Sequence, residues 1–219
     1  MNNENPVEIL PGLYQIRLPI PIKSLGSVFA YLAIDGQDNL LIDSGWPGEE
    51  SLSVLESSLD SIGLTLRDIR RVVVSHLHPD HFGLAAVVRD RAPESKLIMH
   101  RSDSEGILNT DEEYRNFIEE LHQWLAMHGT PDEELDEMLQ ASVKMLTYFK
   151  PPRPTDVVEG GEILNVGERW KFEIISTPGH TSGNICLYDR STSHVFFSGD
   201  HILPTITPNI SLTPRRIPS

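Results

Sequence analysis

His76-Leu77-His78-Pro79-Asp80-His81 packs three imidazoles and a carboxylate into six residues, one residue after the apolar run Val72-Val73-Val74. Residues two apart in an extended segment point to the same side, so His76 and His78 can face one ion together. Pro79 bends the chain and turns Asp80 and His81 toward a neighbouring position, which makes two adjacent metals geometrically feasible. The grouping reads as a metal site. Three unrelated surface histidines would leave the spacing without a cause.

The motif sits at the exit of an apolar strand expected over 69–74. Upstream, short β-like runs at 13–18, 28–34 and 39–42 alternate with turn residues and predict a β-meander. Between them and the motif, Leu52, Leu55, Leu59 and Ile62 recur at helical spacing and Gly63 is a plausible stop, which predicts a helix over 49–62. Downstream, a helix over 82–91 leads to a strand at 96–99, giving the middle of the chain α/β character. The acidic segment 111–149 predicts two helices parted at Gly129-Thr130-Pro131, where Thr130 can cap and Pro131 suits a first turn. It reads as a helical insertion spanning about 102–150. After Pro151-Pro152-Arg153-Pro154, strands are expected at 171–176, 185–189 and 194–198, so that the second half mirrors the first.

A length of 219 residues suits one domain over 1–219. The formal net charge of −14 makes the surface repel phosphate backbones, so nucleic acid is not expected as a partner. The lone Cys186 precludes an internal disulfide and reads as a small buried side chain. No apolar run approaches the roughly 20 residues of a membrane span. Met1-Asn2-Asn3-Glu4-Asn5 lacks the basic and apolar regions of a secretion signal. The expected location is the cytoplasm, away from membranes.

Two further segments share the form of a strand ending in a turn that bears a ligand type: 174–180 (IISTPGH) and 195–200 (VFFSGD). Strand ends converging at one sheet edge would bring them to the histidine motif. In order and spacing, HLHPDH together with LIDSG (41–45), TPGHTSGN (177–184) and FSGDH (197–201) resembles the metallo-β-lactamase superfamily over about 13–204. The resemblance implies a four-layer αββα sandwich, two mixed sheets face to face with helices outside, and a dinuclear metal site at one edge. Carried over by position, it implies that His76, His78 and His180 hold the first metal, that Asp80 and His81 hold the second, and that Asp200 bridges them. Asp43 resembles the family's acidic residue that orients a liganding histidine; as a plain turn residue it would precede Gly45. Imidazole and carboxylate without thiolate suit zinc, and also iron or manganese, at a site with an open position.

The chain departs from the family in one respect. A further histidine usually lies well downstream of the bridging aspartate, and only nineteen residues follow Asp200. His201 is adjacent to Asp200 and should point away, while His100, His122, His128 and His194 match no ligand motif. The stretch LPTITPNISL (203–212) resembles a bacterial branch in which the chain continues into the missing loop and a winged-helix-like domain. The expectation is a shortened form of such a protein, with an incomplete C-terminal part and a weaker second metal.

A water held between two cations loses a proton near neutral pH, since coordination lowers its pKa from about 16 to roughly 7. Asp80 would ligate metal and orient that hydroxide as the catalytic residue. The resemblance thus implies a metallo-hydrolase of the glyoxalase II-like branch, cleaving an ester, thioester, lactone or related bond in a small molecule. The alternatives are a phosphodiesterase or ribonuclease, an iron-dependent sulfur oxidoreductase, and a non-catalytic metal-binding module. Trp124, Met127, Met138 and Met145 are candidates to line the pocket from the insertion, or else plain core. Apolar surface on the insertion would also suit a homodimer.

Overall fold

The computed structural model describes residues 6–21, 26–108, 110–137, 139–140, 149–191 and 193–210. A seven-stranded sheet runs in chain order: β1 (Val7–Leu10), β2 (Leu13–Pro19), β3 (Ser27–Asp35), β4 (Asp38–Ile42), β5 (Arg71–Val73), β6 (Lys96–His100) and β7 (Asp156–Val158). β1 to β4 pair antiparallel, whereas β4 to β7 pair in parallel. Parallel neighbours need long crossovers, and helices supply them. The crossovers contain α1 (Glu49–Ser61), α2 (Pro79–Phe82), α3 (Ala85–Arg91), α4 (Arg101–Glu105) and α5 (Asp111–Met127).

Alternation along the strands divides the core in two. Leu32, Leu41, Val72 and Leu97 face the helices, where Leu55, Leu59, Phe82 and Val88 join them. Leu40, Ile42, Val73 and Ile98 point the other way, onto a second sheet. That sheet is antiparallel, ordered β11 (Phe196–Phe197), β10 (Ile185–Asp189), β9 (Trp170–Ser176) and β8 (Ile163–Val166). Its inward residues Val166, Trp170, Phe172, Ile174, Ile185, Leu187 and Phe197 close the inter-sheet core. The result is the mixed α/β sandwich that the motifs imply, with α1, α2, α3 and α4 packed on the seven-stranded sheet. Outward-facing Ile163 and Phe196 of the smaller sheet are exposed.

The expected mirror symmetry is absent. The connections 167–169, 177–184 and 190–195 are too short for crossover helices, so the second sheet is a pure meander. The helix expected over 82–91 begins earlier, at Pro79 in its first turn, and splits at Gly83. A Cβ at Gly83 would lie 2.3 Å from Pro47 Cδ, so only glycine lets the helix run this close to the loop after β4. β1, β7 and β8 were not expected from the sequence, and the last strand shrinks to two residues.

Thr110 caps α5 and Glu113 reaches back to the Thr110 N–H, α5 stops before Gly129 at φ 89°, and helix resumes from 132. Met127 is 75% exposed and Trp124 lies on His128 with ring centroids 4.2 Å apart. Met138 and Met145 lie outside the described residues. No helix among the described residues is long and apolar enough to cross a membrane.

Candidate metal centre

Four strand exits meet at one edge of the sandwich. Asp43 follows β4, Ser75 to His81 follow β5, His180 lies in the turn after β9, and Asp200 follows β11. The Ile185 N–H donates to the Ser75 carbonyl at 2.9 Å, sewing the two sheets together beside the site. Gly199, at φ 48°, lets the last exit come close: a Cβ there would lie 3.0 Å from Ser75 Cβ.

The donor atoms converge. His78 Nδ1 is 3.0 Å from His76 Nε2 and 2.9 Å from His180 Nε2. Asp200 spans to the other histidines, with Oδ2 3.4 Å from His180 Nε2 and Oδ1 3.3 Å from His81 Nε2. Two three-residue groupings result, His76/His78/His180 and His76/His81/Asp200, so His76 belongs to both. Asp80 stands beside the second, its Oδ2 3.7 Å from His81 Nε2. His201 is exposed, and His100, His122, His128 and His194 lie in neither grouping. His100 instead caps α4, accepting from the Ser102 N–H.

The outer faces of the rings explain why the inner nitrogens are free. His180 Nδ1 donates to the Asn209 carbonyl at 2.6 Å, so its Nε2 presents a lone pair. The Ser75 hydroxyl donates to Asp43 Oδ2 at 2.9 Å and accepts from His76 Nδ1 at 3.0 Å, with the same consequence for His76 Nε2. His81 Nδ1 donates to the same carboxylate at 2.7 Å. Asp43 therefore orients His81 directly and His76 through Ser75. It adopts φ 59°, a conformation that aspartate and asparagine tolerate better than most residues. Ser75 and the Asn209 carbonyl were not singled out in the sequence. For Ser75 the only signal is its place just before the motif; a backbone carbonyl carries none.

Electrostatics follow burial and neighbours. Burial, with His81, His78 and His180 adjacent, holds His76 well below its usual value. Burial and His180 lower His78. Burial also opposes charge on His81, but Asp43, Asp200 and Asp80 outweigh it and raise this ring well above the usual range. Burial pushes the Asp200 carboxyl up, and the hydrogen bond and charge of His81 more than reverse it, leaving it lowered.

These residues fit divalent cations. Tetrahedral zinc with bonds of about 2.0–2.1 Å holds its ligands roughly 3.3 Å apart, close to the nitrogen separations here. Lone pairs of two buried imidazoles aimed at a third are a meeting of acceptors that a shared cation satisfies. Asp43→Asn tests the support beneath the centre. The variant should keep the backbone turn and lose zinc affinity by about tenfold to a hundredfold in chelator competition. Unchanged zinc affinity would show that Asp43 serves only the turn.

A two-sheet α/β sandwich with a histidine and aspartate cluster at the strand exits defines a class of metal-site hydrolase folds. The chain belongs to the metallo-β-lactamase superfamily, whose sequence model matches residues 24–219. It is 28% identical to the Bacillus subtilis protein named "Probable metallo-hydrolase YqjP" over 89% of this chain and 58% of that protein. It is also 28% identical to the human acyl-coenzyme A thioesterase MBLAC2, over 58% of this chain and 39% of that enzyme. Among solved structures, a metallo-β-lactamase family protein from Thermus thermophilus superposes with a TM-score of 0.75 at 26% identity, covering 94% of this chain and 64% of that one. A β-lactamase domain protein from Burkholderia ambifaria gives 0.70, also at 26% identity, over 94% and 59%. The chain thus spans 58% of the length of the Bacillus relative.

Proposed function

We propose that the chain is a two-cation hydrolase of thioester and ester bonds in small molecules, with zinc as the metal. The observation that carries this reading is the convergence of the His76, His78 and His180 nitrogens beside His81 and an Asp200 that reaches both sides. His76, His78 and His180 would hold the first cation, and His81, Asp200 and Asp80 the second. Bound there, divalent cations supply Lewis acidity and bring the pKa of water to about 7. One side of the cluster is accessible: the Asp80 and Asp200 side chains are 21% exposed against 8% for His81 and His180.

The chain's own groups have separate tasks in this reading. Asp80, at the accessible rim, accepts a hydrogen bond from the attacking water and takes up its proton. Asp43 and Ser75 keep His81 and His76 in the tautomers that turn Nε2 inward. The choice of thioesters draws support from relatives named for acyl-coenzyme A and hydroxyacylglutathione. Metal content of protein purified without added metal, alongside His76→Ala and His81→Ala, tests the assignment. His76→Ala should lose most bound metal because His76 sits in both groupings, and His81→Ala a smaller fraction. Equal metal in all three proteins, or zinc-loaded protein inert toward acyl-coenzyme A, acylglutathione and simple esters, would overturn it.

A further inference from the structure

We infer that Asp103 is a positioning residue for the first cation site, an inference that rests on the metal-site reading above. Asp103 lies on α4, is 3% exposed, and belongs to none of the motifs. Its Oδ2 accepts from the Leu77 N–H at 2.8 Å and from the Thr181 hydroxyl at 2.7 Å. Its Oδ1 accepts from the Gly183 N–H at 2.7 Å. Leu77 lies between His76 and His78, and Thr181 directly follows His180. One carboxylate therefore ties the ligand loop of the seven-stranded sheet to the ligand loop of the four-stranded sheet, through three charge-assisted hydrogen bonds.

The contact leaves no slack. A Cβ on Gly183 would come within 2.5 Å of the Asp103 backbone nitrogen, so the loop that presents His180 is seated against the start of α4. The 2.9 Å separation of His78 Nδ1 and His180 Nε2 joins side chains borne on different sheets. Holding both loops before the cation arrives removes an ordering cost that metal binding would otherwise bear. Asp103 thus acts through two backbone N–H groups and the Thr181 hydroxyl of the ligand loops, and none of these three bonds goes to a ligand side chain.

Asp103→Asn keeps the size of the side chain but turns an NH2 group against one of the N–H donors it now accepts from. We expect first-equivalent zinc affinity, measured by chelator competition on the full chain, to fall by about tenfold to a hundredfold. The visible spectrum of the first cobalt(II) equivalent should change with it, as the ligand geometry relaxes. Thr181→Val, which removes one hydrogen bond, should weaken zinc severalfold and decides the matter if Asp103→Asn does not fold. Leu55→Ala, in the core between α1 and the sheet, should lower the melting temperature and leave both metal readouts unchanged. Wild-type affinity and an unaltered cobalt spectrum in the folded variants would overturn the role of Asp103 alone. A wild-type chain that binds no zinc would overturn the metal-site reading itself.

Discussion

His78→Ala is expected to abolish tight metal binding at the first position and to lower turnover by about a thousandfold or more, because in the proposed reaction activation of water depends on the cation. His78 Nδ1 is the central donor, 3.0 Å from His76 Nε2 and 2.9 Å from His180 Nε2. Its removal leaves two imidazoles where three could share a cation. Zinc content and single-substrate kinetics measure both effects. His194→Ala is the control, since His194 is exposed and bonded to the Tyr188 hydroxyl. A His78→Ala protein with full metal content and turnover would remove the basis of the proposed mechanism.

Phe172→Ala should destabilise the fold by about 3–5 kcal/mol, the usual cost of emptying a phenylalanine site in a packed core. That is a large part of the roughly 5–15 kcal/mol by which domains are stable. Phe172 is fully buried between the sheets, stacked on Trp170 with centroids 5.8 Å apart and edge-on to Phe197 at 5.6 Å. Such aromatic pairs add to plain area burial. The denaturation midpoint measures the loss directly. Since β9 leads into His180 and β11 into Asp200, the variant should also bind zinc more weakly, even where most of the protein is folded. A midpoint near that of the wild type would mean the inter-sheet core collapses around the cavity. Normal zinc affinity would mean that the ligand loops are held from the seven-stranded side alone.

The parts of the fold legible in the sequence are those with a local cause. The edges of β2, β3 and β4 match the apolar runs because alternation and turn residues act over a few positions. α1 matches the spacing of Leu52, Leu55 and Leu59 for the same reason. β7 was hidden because three residues carry no periodicity; it is a strand only because Ile98 to His100 are there to pair with Asp156 to Val158. β8 likewise exists through its ladder to β9. The junction at Gly83 was hidden because its cause, Pro47, lies far away in the chain.

At the site, the chemistry on offer could be read from short motifs alone: three imidazoles and a carboxylate at one strand exit, and a histidine and an aspartate at two others, in the pattern of one superfamily. The rest came from how the chain packs. It placed His76 in both groupings, set Asp80 at the rim, made Ser75 the link from Asp43 to His76, and brought Asp103 and the Asn209 carbonyl behind the ligand loops. The division has a physical origin. Which side chains a strand exit can present is written over six residues, but how far apart two exits stand is set by the side chains that fill the space between the sheets.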